Sequence, residues 1–260
     1  MTDQLNGQTA LITGGSRGIG KATALRLATM GCDVAITYNR KQDEALAVAA
    51  EIQSLGRNAF AVQADVGNTA GIKLAFAAVK ENFGRLDIFI SNAAKGVFGP
   101  AMRIGTNGFD LTMATGPKAL LVGAQEAVKL FALNDNKLNV NSPVGTIVVL
   151  SSIGSMRYLP SYAAVGTAKA AIESLVRFLA VELGPKQIRV NAVSGGPIDT
   201  DALDDFKDAE ALKLEWTRRT PLGRLGTADD LAAIVAFLCT DEAKWIHGQT
   251  IIADGGLTLL

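Results

Sequence analysis

A phenol and an ammonium group stand seven residues apart in this sequence, at Tyr162 and Lys169. The stretch 162–183 has few charged residues and predicts a helix, in which residues seven apart differ by about 20° and lie about 10 Å apart along the axis. Both side chains should therefore project from the same face. A nearby cation favours negative charge that develops on the phenol side, so the pair could stabilise an anion during a reaction.

A glycine cluster follows the first predicted strand and opens the first predicted helix, with Gly14, Gly18 and Gly20 as its members. Glycine lets the backbone approach a ligand closely, and a helix N-terminus offers free N–H groups and a favourable dipole to a pyrophosphate. Taken alone, the cluster could be a tight turn. Its strand-turn-helix context favours a dinucleotide-binding loop.

The end of the second predicted strand bears on the choice of cofactor. Residues 36–41 contain no carboxylate that could bind a ribose 2′-hydroxyl, as an NAD site usually requires. Arg40, with Arg17 of the glycine loop, could instead hold a 2′-phosphate, because guanidinium binds phosphate bidentately. This pattern favours NADPH over NADH, although Arg40 and Lys41 could also be ordinary solvated charges.

Short β-rich runs alternate with longer helical patterns along the whole chain. The predicted strands are 9–13, 33–38, 58–63, 86–91, 145–150, 188–193 and 250–253. The predicted helices are 18–30, 41–55, 68–83, 107–133, 162–183 and 227–239. Most of the strands are continuous apolar runs, as expected for parallel strands covered on both faces. The alternation predicts a single domain over 1–260, an α/β fold with a Rossmann-type doubly wound seven-stranded parallel sheet and helices on both faces.

Two further features concern the surface of this predicted domain. The polar stretch 199–219 carries seven acidic and four basic residues, and such an insertion at the carboxyl edge of a sheet is typical of a substrate lid. The predicted helices 107–133 and 162–183 are apolar over most of their circumference. Because a sheet covers only one side of a helix, these two predict a subunit interface.

Composition excludes several classes of function. The chain has 25 basic and 25 acidic residues, which gives no electrostatic footprint for nucleic acid or a membrane surface. One histidine and two cysteines argue against a metal site and a Ser-His-Asp triad; His247, beside Gly248, is expected to be structural. The longest apolar run, 231–239, is half of the roughly 18 residues that a membrane span needs. No signal peptide is visible, so we expect a cytoplasmic protein.

Several motifs together resemble the short-chain dehydrogenase/reductase family, and the resemblance covers the whole chain. They are the loop 13–20, Asp65-Val66, Asn92-Ala93-Ala94, Ser151-Ser152 and Asp254-Gly255-Gly256. The resemblance implies a cofactor site without a metal. Its residues would be Gly14, Ser16, Arg17, Gly18, Ile19, Gly20, Asn39, Arg40, Asp65, Val66, Asn92, Ala93, Lys169, Gly196, Ile198 and Thr200.

The active-site pattern departs from the usual one of that family, which is Tyr-x-x-x-Lys with a serine thirteen residues before the tyrosine. Ser152 stands where the serine is expected, but the residue four before Lys169 is Val165. Gly116 stands where carbonyl-reducing members carry an asparagine. The spacing Tyr162-x6-Lys169 is similar to that of the enoyl-[acyl-carrier-protein] reductase branch, and most similar to enoyl reductase III, its NADPH-dependent type.

This resemblance implies a chemistry for the site. Hydride from NADPH would reach the β-carbon of an enoyl group carried by acyl carrier protein or CoA, in fatty-acid elongation, within a homotetramer. Tyr162 would stabilise the enolate and Lys169 would hold the nicotinamide ribose. Ser152 would hydrogen-bond the substrate or merely cap its loop, and Tyr158 is a competing phenol. The side chains Leu203, Phe206, Leu212 and Trp216 of the lid could contact the acyl chain, or form the apolar face that any lid helix needs.

Two alternative functions stay open at this point. One is a carbonyl or 3-ketoacyl reductase of the same family, against which Val165 and Gly116 argue, since both proton-handling positions of that chemistry are missing. The other is an NADP-binding regulator that performs no turnover. The presence of both Tyr162 and Lys169 argues against the regulator.

Overall fold

The computed structural model describes residues 4–134, 143–204 and 209–260, so Phe206 of the predicted lid lies outside the described residues. The strands are β1 Thr9–Ile12, β2 Asp33–Tyr38, β3 Ala59–Gln63, β4 Ile88–Ser91, β5 Gly145–Ser152, β6 Ile188–Gly195 and β7 Thr250–Ala253. The helices are α1 Gly18–Thr29, α2 Gln42–Ser54, α3 Thr69–Phe83, α4 Thr106–Met113, α5 Ala119–Phe131, α6 Ala163–Leu183, α7 Asp201–Asp204, α8 Ala209–Arg219 and α9 Ala228–Cys239.

The described strands form one parallel sheet in the order β3-β2-β1-β4-β5-β6-β7, which confirms the predicted seven-stranded doubly wound fold. The chain moves outward from β1 in one direction and from β4 in the other. The carboxyl ends of these two neighbours therefore border the crevice in which open α/β sheets bind ligands. β5 and β6 each run two residues beyond the predicted end, because Ser151 pairs with Ser194 and Ser152 with Gly195.

Helices cover both faces of the sheet, as the apolar character of its strands requires. One buried cluster joins β1 and β2 to α1, α2 and α9 through side chains such as Leu27 and Leu231. The other joins β4, β5 and β6 to α3, α5 and α6 through side chains such as Phe76 and Val176. The sheet is thus a rigid central layer, and the ends of its strands project functional residues from fixed positions.

The single helix predicted over 107–133 is interrupted. After α4, residues Ala114–Lys118 form a π-helical turn before α5 continues in the same direction. Pro117 lies inside this turn and has no N–H to donate to an α-helical hydrogen bond. π-turns inside α-helices are frequent at functional sites, and Gly116 of this turn is buried against α6.

Candidate active site

Asn92 connects the glycine loop to the crevice between β1 and β4. Its Nδ2 donates hydrogen bonds to the carbonyl oxygens of Thr13 and Gly14, at 2.9 and 3.0 Å. In return, Oγ1 of Thr13 accepts hydrogen bonds from the backbone N–H groups of Asn92 and Ala93. The predicted cofactor residues at the two strand ends therefore form one connected unit.

The conformation of this loop requires glycine at positions 14, 18 and 20. A Cβ atom on Gly20 would lie 2.1 Å from the carbonyl oxygen of Gly14, and Gly14 and Gly18 have φ angles of +69° and +54°. Ser16 and Ile19 complete this turn at the start of α1. Glycine thus lets the chain turn tightly into α1, whose N-terminus has no side-chain cap and suits the pyrophosphate of a dinucleotide.

The two basic residues predicted to bind a 2′-phosphate have different surroundings. Asn39 and Arg40 are exposed directly after β2, where the 2′-hydroxyl or 2′-phosphate of the cofactor ribose would be bound. Arg17, expected beside Arg40, directs Nη1 to a carboxylate oxygen of Asp201 in α7, at 3.4 Å. The glycine loop is therefore linked to the start of the predicted lid, and Thr200 lies near Gly18 at the same place.

The remaining predicted cofactor residues border the same edge of the sheet. Asp65 is exposed after β3, where its Oδ1 accepts the N–H of Gly67, and the following Val66 is buried. Gly196 follows β6 and packs so closely on Asp254 that a Cβ atom would approach to 2.8 Å. Ile198 is buried two residues later.

Tyr162 lies just before α6 rather than within it, so the predicted helix start at this residue is wrong by one position. Its hydroxyl lies 3.4 Å from Oγ of Ser152, which also accepts the N–H of Gly154. Ser152 therefore both caps its loop and contacts the phenol. The competing phenol, Tyr158, is 88% exposed. Burial raises the pKa of Tyr162, and the hydrogen bond with Ser152 opposes this shift.

Contacts that sequence reasoning missed fix the ring of Tyr162. The ring packs against Gly154, where a Cβ atom would lie 2.5 Å from Cε1, and its centroid is 5.8 Å from that of Phe98. The N–H of Gly99 donates to the carbonyl oxygen of Ser161 at 2.7 Å. Ser161 has a φ of +59°, a conformation that non-glycine residues rarely adopt and that is enriched at functional sites.

Lys169 reaches the same strand end from the interior of α6. Its Nζ donates a hydrogen bond to the carbonyl oxygen of Leu150 at 2.6 Å, two residues before Ser152. Burial lowers the pKa of Lys169 to about 8, and the charge of Glu173 opposes this decrease. Tyr162 and Lys169 thus both contact the carboxyl-terminal part of β5, the phenol through Ser152 and the ammonium through Leu150.

Residues 14–258 match the family model described as "Enoyl-(Acyl carrier protein) reductase". The 1-cyclohexenylcarbonyl-CoA reductase of Streptomyces collinus is 44% identical over 255 residues, covering 97% of this chain and 88% of the relative. The hydroxynaphthalene reductase-like protein Arp2 of Metarhizium robertsii is 32% identical, covering 97% and 95%. A short chain dehydrogenase from Burkholderia cenocepacia J2315, crystallised in complex with NADP, has a TM-score of 0.88 and 37% identity, covering 98% of this chain and 99% of that one.

This chain belongs to the short-chain dehydrogenase/reductase family. Such a reductase usually has its tyrosine where this member has Val165. This valine is buried and packs closely against Gly96: a Cβ atom on Gly96 would lie 2.3 Å from Cγ2 of Val165. Val165 and Gly116 both line a small cavity beside Lys169. The two positions at which this short-chain reductase departs from the usual pattern are therefore neighbours in space.

His247 has a structural role in this short-chain reductase. Its Nδ1 accepts the N–H of Val190 at 3.2 Å, and its Nε2 lies 2.8 Å from the carbonyl oxygen of Ala180. The imidazole thus bridges β6 and α6. Within the described ranges, we find neither a cluster of three or more potential metal ligands nor a helix that is both long and apolar enough to cross a membrane.

Proposed function

We propose that this short-chain reductase uses NADPH to reduce the double bond of trans-2-enoyl thioesters, as an enoyl reductase of type III in fatty-acid elongation. The observation that carries this proposal is the position of the phenol. Tyr162 lies at the start of α6 beside Ser152, while the usual tyrosine position holds Val165. In an enoyl thioester the charge develops on the thioester oxygen, two carbons from the carbon that receives hydride. A phenol set farther from Lys169, just before the helix begins, suits that oxygen.

NADPH fits the glycine loop, because the N-terminus of α1 has no side-chain cap and its first N–H groups can bind a phosphate. When bound, NADPH supplies the hydride. Asn92 would keep the loop attached to β4, Arg40 would bind the 2′-phosphate, and Lys169 would hold the nicotinamide ribose. The NADP in the related Burkholderia cenocepacia structure supports this assignment.

Tyr162 would donate a hydrogen bond to the thioester oxygen and stabilise the enolate. Because burial raises its pKa, the phenol stays protonated at neutral pH and can act as a donor. Ser152, which contacts the same hydroxyl, would orient it. Phe98 would border the space in front of the ring, and α7 and α8 would form the lid over the acyl chain.

The comparisons support two different carriers for the substrate. The matching family model names an acyl carrier protein, whereas the relative from Streptomyces collinus is named for a CoA substrate. Both carriers hold the acyl group as a thioester, and we propose that the enzyme accepts either of them. Turnover of crotonyl-acyl carrier protein and crotonyl-CoA at equal concentrations ranks the two.

We also propose that the reductase works as a cytoplasmic homotetramer. On α6, Phe178 and Val181 are 64% and 78% exposed, which supports the subunit interface predicted for this helix. Light scattering of the purified protein measures the mass directly. A monomer at assay concentration would contradict this part of the proposal.

The function is tested by following NADPH consumption with crotonyl-CoA beside acetoacetyl-CoA. We expect oxidation with the enoyl thioester, and Tyr162→Phe should lower kcat by about 100-fold or more while leaving NADPH affinity nearly unchanged. Tyr158→Phe makes the same chemical change on an exposed phenol and serves as the matched control. Turnover of the ketone alone would favour a carbonyl reductase, and turnover of neither would favour a regulator.

A further inference from the structure

Glu173 lies one helical turn beyond Lys169 on α6 and reaches the end of β5. Its Oε1 accepts hydrogen bonds from the hydroxyls of Ser151 at 2.5 Å and Ser155 at 2.6 Å. These lengths are typical of O–H···O⁻ bonds to an ionised carboxylate. Since the two serines flank Ser152, one carboxylate holds both sides of the segment that presents this hydroxyl to Tyr162.

The same carboxylate acts on Lys169. Residues four apart on a helix are neighbours on its surface. The negative charge of Glu173 raises the pKa of Lys169 against the effect of burial, which lowers it to about 8. Without the charge of Glu173, burial would act unopposed and the ammonium would lose its proton at a lower pH.

Other groups near this part of α6 do not replace Glu173. Among the described residues, the other ionisable side chains on α6 near Glu173 and on the elements packed against this helix are Tyr162, Lys95, Asp110, Lys118, Arg177, Lys186 and Arg189. Arg177 and Lys186 are exposed. The described stretch 145–155, which faces Lys169 and Glu173, contains no ionisable residue. Asp110 and Lys118 are exposed, and Arg189 is bound to carbonyl oxygens at the far end of α9.

We propose that Glu173 is a positioning residue of this active site, which fixes Ser152 through Ser151 and Ser155 and places a carboxylate one helical turn from Lys169. The kinetic part of this inference rests on the proposed enoyl reductase function. The electrostatic part concerns cofactor binding and can be measured without any thioester.

Glu173→Gln tests the charge. The amide keeps an oxygen that both serines can bind, and it has nearly the same volume, but it is neutral. In the wild type, NADPH affinity should weaken by about tenfold as pH rises through about 8, because a neutral amine binds the ribose less strongly than an ammonium. In Glu173→Gln the midpoint of this transition should lie about one pH unit lower. Glu182→Gln, the same change at an exposed position of α6, should reproduce the wild-type curve.

The double variant Ser151→Ala/Ser155→Ala tests the clamp. It removes both donors and leaves the charge of Glu173 in place. We expect kcat with crotonyl-CoA to fall by about tenfold, because Ser152 is no longer held from both sides. The pH midpoint for NADPH binding should stay that of the wild type. A merely structural role would not separate the two readouts in this way.

Two results would overturn the inference. A folded Glu173→Gln protein whose NADPH curve superposes on that of the wild type removes the electrostatic role, and unchanged kcat in the double serine variant removes the clamp. If Glu173→Gln does not fold, Glu173→Asp takes its place. Its shorter side chain keeps the charge, so kcat must fall while the pH midpoint for NADPH binding stays near that of the wild type. Unchanged kcat in this variant overturns the proposal. A wild-type protein that binds NADPH but reduces no thioester contradicts the proposed function, whereas the NADPH titrations still decide the role of Glu173.

Discussion

We expect Gly154→Ala to displace the ring of Tyr162 and to remove most of the turnover while the cofactor site stays intact. A Cβ atom on Gly154 would lie 2.5 Å from Cε1 and 2.6 Å from Cδ1 of the ring. Non-bonded carbon atoms are at their optimal separation at about 3.5 Å. The ring therefore has to move by about 1 Å.

This displacement is large relative to the geometry of the site. The hydroxyl of Tyr162 is already 3.4 Å from Oγ of Ser152, so a further 1 Å breaks the contact. A misplacement of 1 Å in an active site costs roughly 100-fold in rate. That factor corresponds to about 2.7 kcal/mol of lost transition-state stabilisation. The assay is steady-state kcat with crotonyl-CoA, together with NADPH affinity measured by fluorescence.

Gly105→Ala is the matched control, because a Cβ atom at this position meets nothing within 4 Å. A double variant then separates displacement of the phenol from general damage. If Gly154→Ala acts through Tyr162, combining it with Tyr162→Phe should cost little more than Tyr162→Phe alone. Wild-type kcat in folded Gly154→Ala would refute the reasoning, and so would a full additional loss in the double variant.

Three further variants test other parts of the structure. Arg40→Ala should weaken NADPH by at least about tenfold and leave NADH nearly unchanged in fluorescence titrations, because only NADPH loses a charged phosphate contact; equal losses would show that Arg40 does not read the phosphate. Arg189→Met should lower the free energy of unfolding by about 3 kcal/mol in urea titrations, because the buried guanidinium binds backbone carbonyl oxygens at the end of α9; unchanged stability would contradict this. Hydrogen bonds from Arg224 and Thr227 hold the pKa of Asp230 well below its usual value, so its stabilisation is present above about pH 4 and is lost as pH falls. Asp230→Asn should therefore cost about 1 kcal/mol at neutral pH, mainly through the helix cap, and little in acid; an equal cost at both pH values would oppose this account.

The parts of the fold that depend on local patterns could be predicted from the sequence. Continuous apolar runs separated by helical stretches locate the strands, because parallel strands buried on both faces need apolar residues throughout. The glycine loop is likewise local, and its position after β1 identifies the crevice. The family resemblance indicates Ser152 and Tyr162 separately, and only the structure shows that their hydroxyls lie 3.4 Å apart.

The parts that depend on contacts between distant segments could not be predicted. The type and position of Arg17 predict a phosphate contact, but only the packing of α7 shows that the carboxylate of Asp201 lies beside it. Glu173 looked like one of the few charges on an apolar helix. Its hydrogen bonds to Ser151 and Ser155 arise because α6 crosses the end of β5, and no local pattern in the sequence reports that crossing. The π-turn at Gly116-Pro117 did have a local signal in its proline.

The position of the phenol explains why so many of these distant contacts surround it. A tyrosine at the position of Val165 would be fixed by the helix itself, since the hydrogen bonds of α6 define its backbone. Tyr162 is the residue before the helix. Its carbonyl oxygen accepts the N–H of Gly166, but its own N–H donates to the carbonyl oxygen of Leu159 in the preceding loop. Gly99 binds Ser161, Ser161 adopts its rare conformation, and Gly154 leaves room for the ring. The position of the phenol thus depends on contacts from these neighbouring segments, and this is why we expect loop variants to affect turnover more than substitutions on the exposed face of α6.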